Sequence, residues 1–115
     1  MMDRVRAVAL GNSPADILLK NGRVVDVLTE TIYEADVAIA EGVIAGVGTY
    51  QGLQEVDCTD KFICPGLIDA HMHMESSMVT PLELAKAIVP TGTTTIVADP
   101  HELVNVCGAA AVHYL

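Results

Sequence analysis

The 115 residues include 15 acidic against 6 basic side chains, for a formal charge of −9, and 51% of them are hydrophobic. That apolar content excludes a disordered chain. The charge and the lack of any Lys/Arg cluster argue against nucleic acid as a partner, and no run approaches the ~20 apolar residues of a membrane span.

The N-terminus, Met1-Met2-Asp3-Arg4-Val5-Arg6, has charge but no apolar stretch or small-residue cleavage site, so it does not read as a signal peptide. The three cysteines, Cys58, Cys64 and Cys107, form no CxxC and are odd in number. They are expected as buried free thiols in a reducing cytoplasm. Residues 3–10 place Val5, Val8 and Ala9 at helical spacing before Gly11-Asn12, which predicts a short amphipathic helix.

From Asp16 the pattern turns to short β-rich runs. Residues 16–20 (DILLK) and 23–28 (RVVDVL) flank Asn21-Gly22, a strong two-residue hairpin signal. Residues 32–40 and 43–47 flank Glu41-Gly42 in the same way. Two consecutive hairpins predict a meander, so 16–57 reads as part of a small all-β, sandwich-like domain.

The register changes at Phe62. Residues 67–70 (LIDA) and 93–98 (TTTIVA) are unbroken apolar or β-branched runs, expected as parallel strands buried on both faces. Between them, Thr80-Pro81-Leu82-Glu83 combines a Thr N-cap, Pro at the first helical position and Glu three residues after the cap. The helix it opens should end before Pro90 or at Gly92. A further helix is expected from about Leu103 toward the terminus. This is one βαβ unit. A closed (β/α)₈ barrel needs roughly 250 residues, so the unit can be only the start of one. The expected division is 1–61, helix and β-rich segment, and 62–115, the start of an α/β barrel.

Asp69-Ala70-His71-Met72-His73 carries the chemistry. Residues i and i+2 of a strand face the same side, so His71 and His73 present two imidazoles to one place, at the strand's C-terminal end where barrel sites form. Two neutral imidazoles so placed can hold one cation. Glu75 has three readings: a ligand, a partner fixing a histidine tautomer, or an acceptor for substrate; a solvated carboxylate is the plain alternative. Ser76 and Ser77 either donate to a ligand or satisfy backbone groups. Asp99, His101 and Glu102 follow the second strand and should open onto the same cavity, unless Asp99 or Glu102 merely caps a helix. His113 reads as structural. There is no GxGxxG, no GxxxxGKS, no GxSxG and no HxE…PCxxC pattern.

The run Cys64-Pro65-Gly66-Leu67-Ile68-Asp69-Ala70-His71-Met72-His73 resembles the amidohydrolase superfamily. Two further segments, His73-Met74-Glu75-Ser76-Ser77-Met78 and 92–102 (GTTTIVADPHE), narrow the resemblance to its adenine deaminase family. The resemblance implies a metal-dependent (β/α)₈ barrel and hydrolysis of adenine to hypoxanthine and ammonia. It implies a divalent cation, Mn²⁺ with Fe²⁺ or Zn²⁺ as alternatives, and His71 and His73 as ligands. Glu75, Ser76, Ser77, Asp99, His101 and Glu102 would line the metal or substrate shell. It also implies a small purine as substrate and a homo-oligomer when intact. The proton-shuttling carboxylate and the other ligands would come from strands outside this chain, so the 115 residues alone are expected to be inactive. Two alternatives stand beside it: a dihydroorotase-, hydantoinase- or deacetylase-like hydrolase, and a non-catalytic binding module.

Overall fold

The computed structural model describes residues 2–115, which divide by their contacts into two compact units meeting at Pro65/Gly66. The first unit opens with helix α1 (Met2–Ala9), as its spacing predicts, followed by strands β1 (Ala15–Asp26), β2 (Thr31–Ala40), β3 (Val43–Gly48), β4 (Gly52–Asp57) and the two-residue β5 (Phe62–Ile63). The sheet runs β3-β2-β1-β4, with β5 also on β1. β1–β2 and β2–β3 pair antiparallel, but β4 and β5 join β1 in parallel, so the meander is only the first half of a mixed sheet.

The turn at Glu41-Gly42 forms as expected, with φ of 52° and 76°, the left-handed pair that a tight hairpin requires. The expected hairpin at Asn21-Gly22 does not form. β1 runs straight through it with a bulge, the pairing stepping from Leu19↔Val37 to Gly22↔Ala35. Asn21 takes the positive φ of 62°, but Gly22 is there because of close approach: a Cβ on it would lie 2.3 Å from Ile63 Cδ1. The chain reverses instead at 27–30, where the Asp26 carboxylate accepts the amides of Leu28 and Thr29 at 2.9 and 3.2 Å.

α1 lies on the sheet, and Val8, Ala15, Leu18, Ala38 and Ala40 form the core, with Val5, Ala45 and Tyr50 against it. Leu18 and Val8 are fully buried, each worth about 1.5–3 kcal/mol of transfer free energy. Arg4 is tied to Asp16 by an ion pair, and the Asp16 carboxylate also accepts the Glu41 amide at 2.8 Å. One side chain thereby joins α1, β1 and the β2–β3 turn.

The second unit contains β6 (Leu67–Met72), a 3₁₀ turn (Met74–Ser77), α2 (Pro81–Ile88), β7 (Thr93–Ala98), α3 (His101–Cys107) and α4 (Ala110–Tyr114). β6 and β7 pair in parallel, completing the βαβ unit. α2 starts as read: Thr80 Oγ1 accepts the Glu83 amide and Pro81 occupies the first turn, while the chain leaves at Gly92 with φ of 105°. The last helical segment begins earlier than expected, at His101, and Gly108 breaks it into two.

Two expectations need correction. β6 and β7 are not buried on both faces. Leu67, Ile68 and Val97 remain 58%, 64% and 55% exposed, because among the described residues each strand has only the other as neighbour. Of the three free thiols, only Cys58 is buried, tucked against the β1 bulge, whereas Cys64 after β5 and Cys107 at the end of α3 are exposed. No helix among the described residues is long and apolar enough to cross a membrane.

A candidate metal centre at the ends of two parallel strands

His71 lies in the C-terminal end of β6 and His73 just beyond it. Their side chains converge as the i, i+2 spacing dictates, with Nε2 atoms 3.1 Å apart. The Asp69 carboxylate accepts the His71 amide at 3.1 Å and fixes the backbone there. β7 ends at Ala98, and the Asp99 amide donates to the Met72 carbonyl at 2.9 Å, which carries Asp99 across to the histidine pair. His71, His73 and Asp99 each offer one ligand atom, all within 4.8 Å of one another.

The main chain sets the tautomer. His73 Nδ1–H donates to the Asp99 carbonyl at 3.1 Å, so its lone pair sits on Nε2, facing His71. The contact between the two Nε2 atoms then needs a proton from His71. Moving that proton to His71 Nδ1 leaves two imidazole lone pairs aimed at one point. A 3.1 Å separation is the chord of two ~2.0–2.1 Å metal–nitrogen bonds meeting at roughly 100°. Two imidazoles with one carboxylate fit a divalent transition metal.

Asp99 faces this point through Oδ2, 3.9 Å from His71 Nε2, while its Oδ1 lies 3.2 Å from His101 Nδ1. The hydrogen bond from His101 does most to hold the Asp99 carboxyl below its ordinary value; desolvation opposes it, and the His101, His73 and His71 rings add to the lowering when protonated. His101 also packs edge-on to His73, with ring centroids 4.9 Å apart.

The remaining candidates form a second group beside the first. Glu75 Oε1 accepts the amides of Glu102 and Leu103 at 3.1 and 3.5 Å, so Glu75 caps α3 from a distant segment. Asp99 and Glu102 do not cap that helix, whose own N-cap position, Pro100, has no side-chain bond to offer. Glu75's own amide lowers its carboxyl pKa most; burial opposes this, and the Leu103 and Glu102 amides add to the lowering. Ser76 Oγ donates to Glu102 Oε2 at 3.2 Å, whereas Ser77 Oγ turns back to the Met74 carbonyl at 2.6 Å. His113 lies in α4, outside both groups. What the sequence could not point to is the Asp99 carbonyl, a main-chain atom that any residue would supply.

Fold and site together agree with a family match: residues 62–115 match the model of the amidohydrolase family. Two solved structures are similar to the chain in fold. N-acyl-D-glutamate deacylase from Bordetella bronchiseptica, complexed with zinc and a phosphonate inhibitor, aligns with a TM-score of 0.64 and 26% identity, over 75% of this chain and 19% of its own. L-hydantoinase from Arthrobacter aurescens aligns at 0.60 and 26% identity, over 75% of this chain and 21% of its own.

Over nearly its whole length the chain is similar to adenine deaminases. It is 53% identical over 107 residues to that of Petrotoga mobilis, covering 93% of this chain and 19% of the relative. It is 47% identical over 109 residues to that of Geobacillus kaustophilus, covering 95% and 19%. To that of Archaeoglobus fulgidus it is 50% identical over 109 residues, covering 95% and 20%. The chain thus spans about one fifth of the length of the curated relatives it matches.

Proposed function

We propose that this chain is the N-terminal portion of an adenine deaminase, in which adenine and water give hypoxanthine and ammonia. The observation that carries the reading is the convergence of His71 and His73 at the end of β6, in a chain similar over 93% of its length to a protein named adenine deaminase. In this reading the β-rich segment, 1–61, is part of a small sandwich-like domain. Residues 62–115 are the first βαβ unit of a (β/α)₈ barrel, whose catalytic groups gather at the C-terminal ends of its strands.

His71 and His73 would hold a divalent cation, Mn²⁺ by the resemblance, with Fe²⁺ or Zn²⁺ as alternatives. Such a cation, when bound, makes hydroxide available from water near neutral pH. The chain's own residues do the positioning. His73 is oriented through its Nδ1–H on the Asp99 carbonyl. Asp99, kept ionised by His101, adds negative charge next to the two imidazoles. Further ligands and the carboxylate that moves protons between water and the departing amine belong to strands outside these residues. The 115 residues alone therefore give no turnover, and the working enzyme is a cytoplasmic homo-oligomer acting on a small purine.

The test compares turnover by the full-length protein loaded with Mn²⁺, followed as ammonia release from adenine, ring opening of hydantoin and glutamate release from N-acyl-D-glutamate. Adenine should be turned over at least a hundredfold faster than hydantoin or N-acyl-D-glutamate, on the scale by which sites that hydrogen-bond their substrate discriminate. The reverse order overturns the adenine assignment and leaves a hydrolase of cyclic or open-chain amides.

A further inference from the structure

Glu75 is two residues past His73, yet it touches neither imidazole through a hydrogen bond. Its Oε1 holds the first amides of α3, at Glu102 and Leu103, 27 and 28 residues along the chain. Ser76 adds a bond to the Glu102 carboxylate, so the turn after β6 and the start of α3 are fastened at two adjacent points. The segment between β7 and α3 contains Asp99, whose carbonyl sets the His73 tautomer, and His101, which holds Asp99 Oδ1. Pro100 offers that segment no cap of its own. Glu75 Oε2 is buried without a partner among the described residues, a cost normally tolerated only where the other contacts of the group matter.

We propose that Glu75 is a positioning residue: by gripping the first amides of α3 it keeps the Asp99 carbonyl on His73 Nδ1, and so keeps the His73 Nε2 lone pair turned toward the metal point. The role in metal binding rests on the metal reading above, but the role in fixing His73 does not. Reach rather than charge is what the grip requires. E75D keeps the charge but shortens the side chain by a methylene; E75Q keeps an oxygen at the same reach and loses the charge.

The deciding measurement is the ¹⁵N signature of the His73 ring in metal-free protein, read with amide exchange at Glu102 and Leu103. E75Q should keep the Nδ1–H form of His73 and the slow exchange of both amides. E75D should lose the exchange protection and show His73 as a mixture of tautomers. On titration with Mn²⁺, E75D should bind roughly ten- to hundredfold more weakly, the usual range for loss of a group that orients a ligand, and E75Q within about threefold of the parent. If E75D leaves the His73 signature unchanged, or if E75Q loses it as fully as E75D, the proposal is wrong. A parent that takes up no Mn²⁺ would instead sink the metal reading, while the His73 signature still decides the role of Glu75.

Discussion

At the scale of single residues, the site separates groups that offer electron pairs from groups that aim them. His71 and His73 offer imidazole nitrogens 3.1 Å apart, and Asp99 offers a carboxylate oxygen 3.9 Å from His71. His71→Ala and His73→Ala each remove a donor outright and should abolish stoichiometric metal uptake, measured by elemental analysis of the dialysed protein. Asp99→Asn keeps the shape and the backbone carbonyl but removes the charge. It should retain the metal site and weaken it by roughly ten- to hundredfold. Full metal content with unchanged affinity in Asp99→Asn would reduce Asp99 to a backbone role. The two histidines were legible because strand periodicity alone sends i and i+2 to one side. Asp99 and Glu75 were legible as candidates, and fixing a histidine tautomer was one reading of Glu75, but the route was not, since each acts across more than twenty residues of chain, one through a carbonyl and the other through two amides.

At the scale of elements, local rules succeed where the cause is local. The Thr80-Pro81-Glu83 start of α2, the Glu41-Gly42 turn and the bounds of β7 all depend on residues within a few positions of one another. The Asn21-Gly22 dipeptide failed because its flanks are held by distant backbone: the Cys58 amide donates to the Lys20 carbonyl and the Arg23 amide to the Lys61 carbonyl, contacts from some 40 residues away. The true reversal had a local mark after all, an Asp26 side chain able to accept the two following amides. Asp16 supplies this scale's prediction. Its carboxyl is lowered from 3.8, chiefly by the Arg4 hydrogen bond and then by the Glu41 amide. A carboxylate with a lowered folded-state pKa adds stability that is present above the unfolded value and lost as pH falls through the folded one. Denaturant melts of the parent should therefore show stability falling below 3.8. Asp16→Asn should be less stable near neutrality and show a flatter acid slope. An unchanged slope would mean that other carboxylates carry the acid response.

At the scale of the whole molecule, the two units differ in how they are held. The first has a connected core from α1 to β2, with Val8, Ala15, Leu18, Ala38 and Ala40 all at 0% exposure. In the second, Met74, Leu84 and Ala111 are the buried apolar side chains among the described residues, while β6 and β7 keep large side chains in solvent. All the metal-centre candidates lie in this second unit, so a bound cation should add most where packing contributes least. Mass action gives about 2.7 kcal/mol at a metal concentration a hundredfold above the dissociation constant. Amide exchange carried out with and without Mn²⁺, then quenched and read by NMR after the metal is removed by chelation, reports that gain residue by residue. The Asp99 amide, bonded to the Met72 carbonyl, should slow by up to about a hundredfold, and the Leu67 amide, bonded to the Gly92 carbonyl, should follow. The paired amides of β1 and β2 should exchange at the same rate in both conditions. Equal slowing in both units would mean that the chain opens as one cooperative body. No slowing at Asp99, under conditions where Mn²⁺ is bound, would put the cation somewhere other than the ends of β6 and β7.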